Sequence, residues 1–263
     1  MVSVTWLEGF DPSYVFKSKK DFKEWLLSNI DITYLPPYLP SEDLKSFLSK
    51  AIEYGFKRVC IPIAAVSAAK SMLKELNKDI VIITFVSSFH GNRNLLEEKS
   101  MACKTAISLG ASEIEFSPNL SFIKDDENQF RNEIENLISV IREGKAVSKV
   151  YLEIDKLPED LISRAIQVSQ ESNPDYTSIF INLLEEETYD GENLNLAKQW
   201  FDKVNAALGQ NKKTGLKVYG RIDSFNNLLP ILFLATKYGW DLNNLRIGTE
   251  YGFDILDGLD VSD

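Results

Sequence analysis

The sequence predicts a single (β/α)8 barrel, a closed ring of eight parallel strands in which each strand is followed by a helix. Short runs rich in β-branched residues alternate with longer segments whose apolar residues recur every three or four positions, as in repeated strand–helix units. Eight such units share 263 residues, roughly 33 each, which agrees with the usual size of this barrel. An open, doubly wound sheet is the structural alternative.

No linker or low-complexity tract interrupts the alternation, so we expect one domain. Residues 1–29 precede the first strand and are expected to form an N-terminal extension with a helix over Lys20–Ser28, and residues 30–263 are expected to form the barrel. The predicted strands are Ile30–Tyr34, Arg58–Ile63, Ile80–Phe85, Glu113–Ser117, Val150–Ile154, Tyr176–Ile181, Leu216–Tyr219 and Leu245–Gly248.

The helices between these strands have recognisable boundaries. Gly55 and Gly110 follow two helices at the point where a left-handed residue is favoured, and Pro158 stands where a first helical turn tolerates proline. Pro230 predicts a kink or a break in the last of these helices. The predicted helices are Ser41–Tyr54, Ala65–Leu76, Leu95–Leu109, Asp125–Arg142, Pro158–Glu171, Glu192–Leu208 and Ser224–Tyr238.

Composition excludes several classes of protein. The net charge of −10 leaves no surplus of lysine and arginine for nucleic-acid binding. The longest apolar run, Leu228–Ala235, is too short to span a membrane, and the basic region of a secretory signal is missing from the start. Cys60 and Cys103 have no CxxC spacing and His90 is the single histidine, so we expect a cytoplasmic protein with two buried thiols, no metal and no cofactor.

In this architecture catalytic groups stand at the carboxyl ends of the strands, and few polar residues occupy those positions here. Lys217 is the most informative of them, because a lysine between Leu216 and Val218 in a buried strand needs a partner if it points into the barrel. The polar residues considered at those positions are Asp31, Thr33, Glu115, Glu153, Ser178 and Lys217.

Seven short words (sequence motifs) each lie on a predicted strand or the turn after it. They are Asp31-Ile32-Thr33, Val59-Cys60-Ile61, Phe89-His90-Gly91-Asn92, Gly110-Ala111-Ser112-Glu113-Ile114-Glu115, Lys149-Val150-Tyr151-Leu152-Glu153, Gly215-Leu216-Lys217 and Arg246-Ile247-Gly248. Taken in this order, they resemble the deoxyribose-phosphate aldolase family. The resemblance covers about Ile30 to Gly252. It implies a class I aldolase barrel that cleaves 2-deoxyribose 5-phosphate reversibly to glyceraldehyde 3-phosphate and acetaldehyde through a Schiff base.

Carried over residue by residue, the resemblance implies an incomplete catalytic set. The family's second active-site lysine falls on Lys217, its strand-four aspartate on Glu115, and its strand-one aspartate and threonine on Asp31 and Thr33. The Schiff-base lysine of strand six falls on Ser178. A serine has no nitrogen with which to form an imine, so we expect aldolase activity to be absent or much reduced.

Two roles remain open for Lys217. It could act as a relocated nucleophile, or it could be a structural ion-pair partner of Glu115. The second role is favoured because the family's neighbouring ammonium is missing at Ser178, and a carboxylate beside the amine stabilises the charged form.

The family binds its phosphate on turns after strands six to eight, and these turns are changed. Gly220 and Gly248 are retained, Arg221 could supply a bidentate fork for the anion, and Thr249 lies in the strand-eight turn. Against this, acidic residues occupy the strand-six and strand-eight loops at Glu185–Glu187 and Glu250. A carboxylate within about 6 Å of a phosphate would cost about 3 kcal/mol per unit charge, although a solvated loop is the simpler interpretation of the acidic run.

Three functional hypotheses follow from the sequence. The chain could be a residual aldolase that uses Lys217, an inactive barrel that binds a small sugar, sugar phosphate or other metabolite, or a structural scaffold that could form a homodimer. His90 could be a polar site residue, but its position at a strand-to-helix turn favours a hydrogen-bonded loop former.

Overall fold

The computed structural model describes residues 15–87, 90–181, 192–208 and 214–260. Its eight strands form one closed, parallel barrel in which each strand pairs with its neighbours in chain order and β8 pairs with β1. The (β/α)8 prediction is confirmed, and the doubly wound alternative is wrong because the sheet has no open edge. The strands are β1 Ile30–Thr33, β2 Arg58–Cys60, β3 Val81–Val86, β4 Glu113–Phe116, β5 Val147–Leu152, β6 Tyr176–Phe180, β7 Gly215–Tyr219 and β8 Leu245–Thr249.

Helices surround the barrel, and most of them lie where the periodicity predicts. Helix α1 precedes β1 and is one residue longer at each end than the predicted Lys20–Ser28. The described helices are α1 Lys19–Asn29, α2 Ser41–Tyr54, α3 Val66–Glu75, α4 Leu96–Leu109, α5 Phe122–Asp125, α6 Glu127–Glu143, α7 Glu159–Glu171, α8 Glu192–Leu208, α9 Phe225–Lys237 and α10 Gly252–Asp260.

Some boundaries differ from the prediction: β5 covers Val147–Leu152 and not Val150–Ile154, and two further predictions concern proline residues. Strand β2 ends at Cys60 and not at Ile63, because Pro62 has no N–H for a strand ladder and a 3₁₀ turn follows over Ile63–Ala65. Helix α9 continues through Pro230 over Phe225–Lys237, so the proline does not break it. In the described part of the chain, no helix combines the length and apolarity that crossing a bilayer requires.

Outward-facing strand residues form the apolar contact with the helices. Ile32, Val59 and Ile82 are paired across β1, β2 and β3, and each is at most 1% exposed. Val218 and Ile247 continue this layer on β7 and β8. The core between sheet and helices is therefore the usual hydrophobic one, which leaves the other face of each strand to fill the barrel interior.

Candidate active site in the barrel interior

Ser178 faces the inside of the barrel. It is paired in register with Tyr151 on β5 and with Lys217 on β7, and side chains that are paired across a parallel sheet point to the same face. Its neighbour Thr177 points outward, since the Thr177 hydroxyl contacts Ser169 on α7. Ser178 is fully buried, and its Oγ has no hydrogen-bond partner among the described residues.

Lys217 is held by two carboxylates beside Ser178. Its Nζ lies 2.6 Å from Oε2 of Glu115 and 3.3 Å from Oδ2 of Asp31, and all three side chains are buried. Burial lowers the pKa of Lys217, but attraction to Glu115 and Asp31 is stronger, so the net pKa lies above its usual value. The predicted ion pair with Glu115 is present, and it keeps the amine protonated at neutral pH.

A second lysine, which is not among the predicted site residues, lies in the same interior region. Lys149 on β5 is fully buried, and its Nζ lies 2.6 Å from Oδ2 of Asp31 and 2.6 Å from Oε2 of Glu113. The expectation that Lys217 has no neighbouring ammonium is therefore wrong, because both lysines contact the same oxygen of Asp31. The period-two alternation of Lys149 with Tyr151 is the signal that could have placed Lys149 inside.

The ion pairs favour the charged forms of Lys149 and Asp31. Burial opposes the charged form of Lys149, but Asp31 and Glu113 raise its pKa above the usual value. Burial alone would raise the pKa of Asp31, yet Lys149 and Lys217 together lower it to about 2. The two amines and their carboxylates thus share a buried network in which neither lysine is poised as a neutral nucleophile.

Two arginines add further charged groups toward the amino ends of the strands. Arg58 on β2 lies 3.5 Å from Glu113, and Arg246 on β8 lies over the ring of Tyr176, 5.1 Å from its centroid. Arg246 also donates to the side chain of Asn29 at the end of α1. Seven charged residues therefore fill space that branched apolar residues usually fill: Asp31, Arg58, Glu113, Glu115, Lys149, Lys217 and Arg246.

Aromatic side chains line the interior toward the carboxyl ends. The ring centroids of Phe85 and Tyr151 are 5.2 Å apart, and those of Tyr151 and Tyr219 are 6.1 Å apart. Together with Lys217 they line a partly open cavity of about 10 Å³, the size of one water molecule. Burial raises the pKa of both tyrosines, so their hydroxyls stay protonated. The residues lining the cavity are Thr33, Leu35, Cys60, Phe85, Glu115, Tyr151, Lys217 and Tyr219.

Cys60 and Cys103 are both unpaired and buried, as the sequence predicts. Desolvation raises the pKa of each thiol to about 12, so neither is a thiolate at neutral pH. Within the described ranges, no group of three or more His, Cys, Asp or Glu side chains could hold a metal ion.

Most of the expected binding residues have internal roles in the structure. Thr33 donates to the carbonyl of Asp31 at 3.1 Å, and Thr249 donates to the carbonyl of Ile222 at 2.7 Å. The side chain of Arg221 is 62% exposed and lies 3.3 Å from Asp223, so it pairs with a carboxylate near the surface.

Two glycines are required by close approaches within the barrel. A Cβ at Gly220 would lie 2.1 Å from the carbonyl oxygen of Ile181, and one at Gly248 would lie 2.6 Å from Cε of Lys217. Gly248 therefore provides the space that Lys217 occupies. The side chain of Glu250 is exposed beyond β8, and Glu185–Glu187 lie outside the described residues.

His90 contacts Glu153 at the carboxyl end of β5. Its Nδ1 lies 2.5 Å from Oε2 of Glu153, and the two side chains are 52% and 11% exposed. This contact agrees with the interpretation of His90 as a hydrogen-bonded residue of its turn. Phe89, from the same sequence word, lies outside the described residues.

Sequence comparison finds relatives that are named deoxyribose-phosphate aldolase. The chain is 32% identical over 148 residues to a deoxyribose-phosphate aldolase of Thermococcus kodakarensis, and the match covers 56% of this chain and 66% of the relative. It is 33% identical over 149 residues to the enzyme of the same name from Caldanaerobacter subterraneus, with 56% and 63% covered. The matched region thus spans slightly less than two thirds of the length of these relatives. No protein-family model matches the chain.

Structure comparison extends the likeness over nearly the whole chain. The tetrameric deoxyribose phosphate aldolase of Aeropyrum pernix superposes with a TM-score of 0.71 at 20% identity, covering 94% of both chains. A triosephosphate isomerase from Bartonella henselae has a TM-score of 0.55 at 13% identity, covering 89% of this chain and 98% of the isomerase. At these identities the superpositions establish the barrel fold.

Proposed function

We propose that this chain, a homologue of the deoxyribose-phosphate aldolases, has lost Schiff-base aldol chemistry and retains the barrel for another purpose. The observation that carries the proposal is the state of the interior amines. Ser178 occupies the strand-six position on the inner wall, while Lys149 and Lys217 each lie 2.6 Å from a buried carboxylate. An imine requires a neutral amine that can reach a carbonyl carbon, and these contacts support neither condition.

The contacts around Lys217 support the same conclusion. For the aldol reaction to occur at Lys217, its ion pair with Glu115 would have to break. The described residues around it leave a cavity of about 10 Å³, room for one water molecule.

Borohydride trapping tests the loss of imine chemistry. The protein is incubated with acetaldehyde and reduced with sodium borohydride, and lysine modification is mapped by mass spectrometry of peptides. We expect no modification of Lys149 or Lys217 above the level found for exposed lysines, such as Lys198 on α8. Selective ethylation of either interior lysine, or cleavage of 2-deoxyribose 5-phosphate that Lys217→Met abolishes, would overturn the proposal.

The variant Ser178→Lys tests how much of the ancestral site remains. Lys149 and Lys217 would both act on a third ammonium by like-charge repulsion, which favours its neutral form. Trapping at residue 178 together with recovered cleavage would show that a single substitution removed the activity. Trapping without cleavage would assign the remaining deficit to the substrate-binding turns.

A second candidate function is binding of a neutral, hydroxylated small molecule at the barrel mouth. The specific observation is the charge at the mouth, where Glu250 is acidic and exposed and Arg221 is already paired with Asp223. A carboxylate within about 6 Å of a phosphate opposes its binding by about 3 kcal/mol per unit charge, whereas hydroxyl groups donate hydrogen bonds to carboxylates. In a thermal-shift comparison, ribose should stabilise the protein more than ribose 5-phosphate, and stabilisation by neither sugar would favour the scaffold hypothesis.

A further inference from the structure

A second chemical centre lies at the mouth of the barrel, away from the interior lysines. Glu153 directly follows β5, and its carboxylate acts electrostatically on Tyr151, which faces the interior. His90, the single histidine of the chain, reaches this carboxylate from the turn after β3. The carboxyl-end mouth is where catalysis takes place in this architecture.

The turn that carries His90 is fixed by buried contacts. Gly91 has φ +67°, and a Cβ there would lie 2.0 Å from the carbonyl oxygen of Pro118. The Nζ of Lys99, itself buried, donates to the carbonyl of Gly91 at 2.5 Å and is paired with buried Glu133. These contacts fix the backbone next to His90, and Glu153 contacts its ring; a stable position is the first requirement of a proton-transfer group.

The contact with Glu153 also determines which nitrogen is basic. A carboxylate only accepts hydrogen bonds, so Nδ1 of His90 is the donor at 2.5 Å, and in the neutral imidazole the lone pair is therefore on Nε2. The imidazole is 52% exposed, whereas the Glu153 side chain is 11% exposed. A nearly buried carboxylate that orients a half-exposed imidazole is the arrangement in which histidine acts as a general base.

We propose that His90 and Glu153 form a proton-transfer pair for a small, neutral, hydroxylated carbonyl compound bound at the mouth. Nε2 of His90 removes a proton from the carbon next to the carbonyl. The C–H bonding pair becomes the second bond of an enediol, and the carbonyl π pair moves to oxygen, which takes up a proton from solvent. Return of a proton to carbon reverses these changes, so no oxidant, reductant or other co-reactant is consumed.

The charges around the pair select a neutral substrate. The exposed Glu250 acts electrostatically on Tyr219 at the mouth, whereas Asp155, two residues after Glu153, is paired with Lys156 at 2.8 Å. The carboxylate of Glu250 disfavours phosphate and can accept hydrogen bonds from hydroxyls. The proposal uses neither Ser178 nor an interior lysine, and therefore it does not depend on the loss of Schiff-base chemistry.

Deuterium exchange into dihydroxyacetone tests the proposal. The protein is incubated with dihydroxyacetone in D2O, and loss of the methylene proton signal is followed by NMR. Positioned general bases contribute about 100-fold or more to rate, so His90→Gln should lose at least that factor of the protein-catalysed exchange. Glu153→Gln should lower the maximal rate with little change in the concentration for half-saturation, and Glu153→Asp should recover part of it. Lys198→Gln, at an exposed pair on α8, is the control that should exchange at the wild-type rate.

Two outcomes would overturn the proposal. One is wild-type exchange no faster than buffer, which would leave His90 as a purely structural residue of its turn. The other is catalysed exchange that persists in a folded His90→Gln variant. If that variant fails to fold, carbethoxylation of the single histidine in native protein replaces it, and exchange that survives complete modification contradicts the proposal equally.

Discussion

Replacing Glu115 by methionine should strongly destabilise the protein, because the substitution leaves Lys217 with one carboxylate in place of two. At an effective dielectric near 20, the attraction across 2.6 Å is about 6 kcal/mol, and the remaining attraction to Asp31 across 3.3 Å is about 5 kcal/mol. These gross energies are largely offset by desolvation, and removing one partner of a buried pair typically costs 3–5 kcal/mol. Because Asp31 remains, we expect a loss of about 3 kcal/mol.

A double-mutant cycle separates the ion pair from simple packing. Glu115→Met, Lys217→Met and the double variant are compared by urea unfolding, with Glu97→Met on the exposed surface of α4 as control. The double variant should recover most of the lost stability, since two apolar groups of similar volume can replace a buried pair at little cost. A Glu115→Met variant within about 0.5 kcal/mol of the surface control would refute the reasoning, because surface substitutions already reach that size.

Three further predictions concern the same interior. The pKa of Asp31 is about 2 in the folded state and 3.8 in the unfolded state, so its ionised carboxylate stabilises the fold above pH 3.8 and this stabilisation is lost as pH falls toward 2. Urea unfolding as a function of pH should show the loss, and Asp31→Asn should abolish this part of the pH dependence. Gly248→Ala should cost about 1–3 kcal/mol in the same assay, because the new Cβ would overlap Lys217; a stability equal to wild type would contradict the close approach. Cys60, with its pKa raised to about 12, should react with iodoacetamide at pH 8 only after unfolding, and rapid labelling of native protein would show that the interior opens.

The order of strands and helices could be predicted because each element carries its own periodic signal. Helix α8 begins and ends at the predicted Glu192 and Leu208. Errors occurred where one residue changes the backbone locally, as at Pro62, which shortens β2. The closed barrel followed from the number and spacing of these units, neither of which requires knowledge of side-chain contacts.

The interior could be predicted only in part. Family words identified Asp31, Glu115 and Lys217, and the structure brings these three together. Lys149 received no role, because its partner Asp31 lies 118 positions away and strands buried on both faces do not show which residues point inward. The contact between His90 and Glu153 was missed for the same reason, since 63 positions separate them.

The distribution of interior charge along the chain has a consequence for assembly of the barrel. The carboxylates of Asp31, Glu113 and Glu115 come from β1 and β4, whereas the cations of Lys149, Lys217 and Arg246 come from β5, β7 and β8. With the exception of Arg58 beside Glu113, each half of the polypeptide therefore carries ions that the other half neutralises. In a half-barrel formed early in folding, these ions would lack their partners and would have to stay hydrated. Closure of the barrel and exclusion of water from its interior should therefore occur in one concerted step.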